Sequence, residues 1–61
     1  MKDFKDLELG DVLYHKKLDN TYFISEKGLD YIKLENASDE PKWLVSERYY
    51  NKGEFVLVNL D

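Results

Sequence analysis

The chain has 61 residues, thirteen acidic against nine basic side chains for a formal net charge of −4, and no cysteine. A domain of this length has one small core and buries only about 60% of its unfolded surface. The missing cysteines exclude disulfides, cysteine-zinc sites and thiol nucleophiles. Apolar content of 43%, with 15% aromatic residues, excludes a disordered chain.

Residues 1–61 are expected to form a single small domain with a lead-in over 1–10. No apolar run approaches the ~20 residues that span a bilayer. The start Met1-Lys2-Asp3 lacks a signal-peptide pattern, so a soluble cytoplasmic protein without a membrane partner is expected. Charges of both signs are interleaved, and the only positive cluster is His15-Lys16-Lys17. The basic footprint of a nucleic-acid binder is therefore weak. Lys outnumbers Arg eight to one, a bias that suits an AT-rich bacterial or phage genome.

In the lead-in, Met1, Phe4 and Leu7 recur at a spacing of three and stop at Gly10. One helical turn fits that spacing, but an extended segment lying over the sheet is preferred. Turn signals follow at Gly10-Asp11, Asp19-Asn20, Lys27-Gly28, Asn36 to Pro41 and Asn51-Lys52-Gly53. The runs between them, 12–18, 21–27, 30–36, 42–50 and 54–60, are rich in β-branched and aromatic residues. Five short strands at this spacing predict an all-β chain, a five-stranded antiparallel meander closed into a small barrel.

Side-chain parity selects the register of the first hairpin. A three-residue loop, Asp19 to Thr21, gathers Val12, Tyr14, Leu18, Tyr22 and Ile24 on one face. It leaves Leu13 and Phe23 opposite, among His15, Lys17, Ser25 and Lys27. A one-residue slip exchanges the faces, so the better-sorted register is preferred. On the third strand Ile32 and Leu34 are expected inside, with Tyr31, Lys33 and Glu35 outside.

The last hairpin is two-sided. Asn51-Lys52-Gly53 fits a type I turn followed by a left-handed Gly, which pairs Tyr50 with Glu54 and Tyr49 with Phe55. One face then carries Leu44, Tyr50, Val56, Val58 and Leu60, and the other Trp43, Val45, Tyr49, Phe55 and Leu57. Five short strands supply about fifteen inward positions, fewer than the 26 apolar residues present. Two readings of the surplus stay open: Phe4, Leu7 and Leu9 fold back over the second face, or an aromatic patch serves binding or dimerisation.

Leu7-Glu8-Leu9-Gly10-Asp11-Val12-Leu13-Tyr14 resembles the entry into the first strand of SH3-like small barrels. No Ala-Leu-Tyr-Asp-Tyr run occurs, and Pro41 precedes Trp43 rather than lying in a late Pro-x-x-Tyr, so recognition of proline-rich peptides is not carried over. Small acidic barrels of this kind are also similar to accessory proteins of bacteriophages and other mobile elements, some of which bind and inhibit host proteins.

Catalytic chemistry has few candidates. A nucleophile–base set would have to use His15, which this register places on an exposed strand face. The acids are dispersed, and neither zinc nor calcium spacing occurs. No catalytic residue, metal ligand or cofactor is expected. The functional expectation is a non-enzymatic protein-interaction module that binds a protein partner or a second copy through Trp43, Tyr49, Phe55 and Leu57. Glu47, Lys52 and Glu54 would form its polar rim. The alternative is a single-stranded nucleic-acid-binding barrel using Lys17, Phe23, Lys27, Tyr31 and Lys33.

Overall fold

The β-branched and aromatic runs do form the strands: β1 (Val12–His15), β2 (Asn20–Lys27), β3 (Tyr31–Glu35), β4 (Trp43–Ser46) and β5 (Phe55–Val58). The structure, a computed structural model, describes residues 2–36 and 42–58. Expectations for Met1, Ser38 to Pro41 and Leu60 lie outside those residues. All neighbours pair antiparallel, in the order β4-β3-β2-β1-β5. The first four strands are a meander, while the fifth crosses over to lie beside β1. The expected hairpin of the last two strands is therefore not made, and the sheet is not closed into a barrel. It curls all the same, because the Trp43 ring of edge strand β4 lies 5.7 Å from the Phe55 ring of edge strand β5.

What replaces the hairpin is one helical turn, α1 (Glu47–Tyr50). Ser46 caps it, its hydroxyl accepting the Tyr49 N–H at 3.2 Å. Glu47 in the first turn and Arg48 in the last suit the helix dipole. Gly53, at φ 84°, supplies the left-handed residue that returns the chain to β5. The turn breaks the two-residue alternation, so Tyr50 becomes buried and stacks on Phe55 at 6.2 Å.

The first hairpin takes a different register. His15 pairs with Asn20, Tyr14 with Thr21, Leu13 with Tyr22 and Val12 with Phe23. The connection is four residues, Lys16 to Asp19, not three, and the even count exchanges the faces of β1. Leu13 and His15 point inward, Val12 and Tyr14 outward. Two side-chain bonds hold the longer loop. The Tyr14 hydroxyl donates to Asp19 at 2.6 Å, and the Leu18 N–H donates to Nδ1 of His15 at 3.1 Å. Asp19 takes the left-handed conformation, φ 51°, that short polar residues tolerate.

The third strand alternates as expected, with Ile32 and Leu34 buried. Between β2 and β3 the register shifts at Ser25, where Ile24 pairs with Leu34 but Glu26 with Lys33. This bulge lets the long β2 bend, and it moves Lys27 to the inner face, opposite Ile32.

The lead-in contains a 3-10 turn at Phe4–Asp6 rather than an extended segment. Phe4 and Leu7 fold back and are buried, whereas Leu9 stays exposed. The Lys27 ammonium donates to the carbonyls of Lys5 (2.9 Å) and Leu7 (2.8 Å) and lies 5.6 Å from the Phe4 ring centroid. The Tyr50 hydroxyl donates to the Lys2 carbonyl at 2.7 Å, and burial holds its phenol above the ordinary value. Phe4, Leu7, Leu13, Tyr22, Ile24, Ile32, Leu34, Val45, Tyr50 and Phe55 form the core cluster.

Asp11 ties the lead-in to β1. The backbone N–H of Glu8 donates to its carboxylate at 3.0 Å, and Lys2 lies at the same distance. The Glu8 N–H first, opposed by partial burial and then aided by Lys2, holds the Asp11 carboxyl below its ordinary value. An acid with a lowered folded-state value stabilises the fold above its unfolded value and loses that contribution as pH falls through the lowered one. Asp11→Asn should therefore lower the urea midpoint at neutral pH, and its gap to wild type should close on acidification below the ordinary carboxylate range. A gap that widens in acid would contradict this assignment.

Candidate protein-binding surface

The four residues expected to bind a partner are brought together, but around the core. Phe55 is 1% exposed. Trp43, Tyr49 and Leu57 are half-buried and pack against the core cluster. Ring centroids in this group are 5.7 Å apart for Trp43 and Tyr49 and 5.9 Å for Tyr49 and Phe55. They belong to the concave side because Phe55 pairs with inward His15 and Leu57 with inward Leu13. Of the expected rim, Lys52 lies 5.9 Å from the Tyr49 ring centroid, and Glu54 is paired with Lys17 at 3.5 Å.

His15 is at the centre of this cluster rather than on the surface. It is 2% exposed, with Trp43 at 5.4 Å, Phe55 at 4.9 Å and a stacked Tyr49 at 6.2 Å. Its Nδ1 accepts the Leu18 N–H, so the neutral ring carries its proton on Nε2, 2.9 Å from the Tyr49 hydroxyl. Both nitrogens are committed to the fold.

Leu9, Leu18, Leu29 and Leu44 face solvent, and a further set of apolar side chains gathers on the convex side of β5, β1 and β2. Register places them in two rows: Val58, Val12 and Phe23 in one, Val56, Tyr14 and Thr21 in the next. Directly opposite residues in adjacent strands lie about 4.5–5.5 Å apart, so the rows form one continuous surface. Phe23 is 40% and Val56 42% exposed, with Val12, Tyr14 and Val58 half-buried beside them. The Tyr14 hydroxyl, through its bond to Asp19, is held above its ordinary value and stays neutral. The row ends at Glu35, opposite Phe23.

Parity assigned Val12 and Tyr14 to the interior, and the binding set of the last hairpin was drawn from the face opposite Val56 and Val58, so four of these five outward residues were missed in the sequence as a surface. The available signal was Phe55-Val56-Leu57-Val58, four apolar residues in succession, which must present two of them to each face.

The alternative set is dispersed. Phe23 and Lys33 are on the convex side, Lys33 opposite both Glu26 and Leu44. Tyr31 is half-buried and lies over Gly28, whose missing Cβ leaves room for its ring. Lys27 is turned inward and holds the lead-in, and Lys17 is paired with Glu54. Among the described residues no cluster of His, Cys, Asp and Glu could hold a metal ion. No helix among them is long and apolar enough to cross a membrane. Comparison with protein-family models, curated proteins and solved structures found no match to this chain.

Proposed function

We propose that the chain is a non-enzymatic protein-interaction module that works in the cytoplasm and docks a protein partner on the convex face of β5, β1 and β2. The observation that carries this reading is the pair of apolar rows formed by Val58, Val12 and Phe23 and by Val56 and Tyr14. Single exposed apolar residues are ordinary, but a contiguous patch across three strands is the usual mark of a docking site. Trp43, Tyr49 and Leu57 support that face from behind, packed around buried Phe55. His15 favours a binding rather than a catalytic role, since neither nitrogen of the only imidazole is free to take a substrate proton.

Five antiparallel strands in a curled sheet support the SH3-like reading. Small size, acidity and the use of Lys over Arg support an accessory protein of a bacteriophage or mobile element that binds and inhibits a host protein. Single-stranded nucleic acid is the weaker reading, because Lys17 and Lys27 are engaged and each phosphate contact needs a cation to displace counterions.

Capture from a bacterial lysate with wild type and with the double variant Phe23→Ser/Val12→Thr tests the proposal. A protein retained by wild type, identified, purified and bound again in isolation, should be lost with the double variant while its circular dichroism is unchanged. Identical retention by both proteins would overturn the docking face. Oligonucleotides at low salt should not bind; micromolar binding that weakens steeply with salt would put the nucleic-acid reading in its place.

A further inference from the structure

The Lys16–Asp19 loop is tethered at two points. The Leu18 N–H donates to Nδ1 of His15 at 3.1 Å, and the Asp19 carboxylate accepts the Tyr14 hydroxyl at 2.6 Å. A backbone N–H can only donate, so the first tether needs a bare Nδ1 and a neutral ring. In the imidazolium both nitrogens are donors. A proton added to Nδ1 would face the Leu18 N–H across 3.1 Å, and the tether cannot survive it. The loop is free to yield, since its four residues are all exposed and none belongs to the core cluster. Its base stays on β5 through the Lys16 N–H, which donates to the Glu54 carbonyl at 3.0 Å.

We propose that His15 is a proton-operated latch: one proton from solvent, taken up at Nδ1, releases Leu18, opens Lys17 to Asp19 and frees Tyr14 on the docking face. The effect on binding rests on the reading of the convex face as a protein-binding surface; the latch itself does not. Every element packed on the ring leaves an added charge without a partner. β4 and β5 present Trp43 and Phe55, both uncharged, with ring centroids 5.4 and 4.9 Å away. β2 places Asn20 opposite His15. α1 presents the Tyr49 phenol, and the Lys52 ammonium lies 5.9 Å from the centre of that ring. The loop brings Lys16 and Lys17, which have the same sign as an imidazolium. The neighbouring acids are engaged, Glu54 with Lys17 at 3.5 Å and Asp19 with Tyr14. A charged ring left in place would be buried with no acid on either nitrogen, which is costly. Opening the loop brings water to Nδ1 and removes that cost.

The open loop binds one proton more than the closed one. The closed form is therefore kept in neutral and alkaline solution and lost as pH falls. A local opening of this kind breaks the contacts of one exposed segment and leaves the strands in place. Tyr14 stands in the convex row between Val56 and Thr21. Without Asp19 its ring is no longer fixed there, and a partner held on that face at neutral pH is held less tightly in acid.

NMR of the intact chain from about pH 8 to about pH 5, the interval in which an imidazole is the ordinary titrating side chain, tests the latch. The protection factor of the Leu18 amide should fall at least about tenfold, in step with the His15 ring signals. The fall should be no steeper than about tenfold per pH unit, the limit for one proton. Ile32 and Leu34 amides should stay protected. In His15→Phe the Leu18 amide should be unprotected at every pH. A Leu18 amide that stays protected while the ring signals report an imidazolium overturns the latch, as does a ring still neutral at about pH 5. Loss of Ile32 and Leu34 protection together with Leu18 would make the event acid unfolding, and a pH dependence that persists in His15→Phe would assign it to another group; either result also overturns the latch. A purified protein whose capture depends on Phe23 should be released by wild type in the same acid interval. If the loop opens but capture never depends on Phe23, the docking face fails and the latch stands. If capture depends on Phe23 and survives acid, the control of that face by His15 is what fails.

Discussion

Phe55→Ala should remove about 3–5 kcal/mol, a large share of the chain's stability, whereas Val56→Thr should be nearly silent. Phe55 touches His15, Trp43, Tyr49 and Tyr50 through ring contacts of 4.9–6.2 Å and is 1% exposed. Truncating a buried Phe costs about 3–5 kcal/mol, from lost transfer energy and the cavity that remains. At about 0.05–0.15 kcal/mol per residue, a domain of this length holds only about 3–9 kcal/mol in total. The neighbouring Val56 is on the other face, so removing its apolar character should shift stability by no more than about 0.5 kcal/mol. Urea titration followed by circular dichroism and by fluorescence of the single Trp43, 5.7 Å from Phe55, reads both variants. A mild Phe55→Ala together with a severe Val56→Thr would mean that the faces of β5 are reversed.

His15→Ala should cost about 2–4 kcal/mol, far more than a surface histidine would. The substitution removes a ring packed among three aromatic neighbours and breaks the hydrogen bonds to the Leu18 N–H and the Tyr49 hydroxyl. His15→Phe separates the two contributions, since it keeps a ring of similar size but makes neither hydrogen bond. Both partners border solvent and can recover water, so the Phe variant should lose about 1–2 kcal/mol. Faster exchange of the Leu18 amide in His15→Phe, measured by NMR, would identify the broken bond. A His15→Ala change within about 0.5 kcal/mol of wild type would place the imidazole outside the core.

Strand existence and class were legible in the sequence because punctuation and β-branched runs are local signals. All five strands lie within the runs bounded by Gly, Asn and Asp, give or take a residue, and the third strand has the inward residues its alternation predicts. The last apolar run was legible as two-sided for the same local reason. Which side mattered was not. Trp43, Tyr49, Phe55 and Leu57 read as a surface only if the final strands form a hairpin, and the Ser46 cap that starts a helical turn instead is a weak signal within WLVSERYY.

The chemistry of each residue type, the five-strand class and the absence of thiol and disulfide chemistry were settled by the amino-acid sequence itself. Loop length, the Ser25 bulge and the crossing of β5 to β1 were decided only by the tertiary structure. Each shifts the two-residue alternation by one or relocates a whole strand, so a single loop residue decides whether His15, Lys27 or Val12 faces the core. Such a choice depends on the summed packing of all strands at once, with Phe4 and Leu7 closing the core from the lead-in. A local pattern contains no information about partners that far away along the chain.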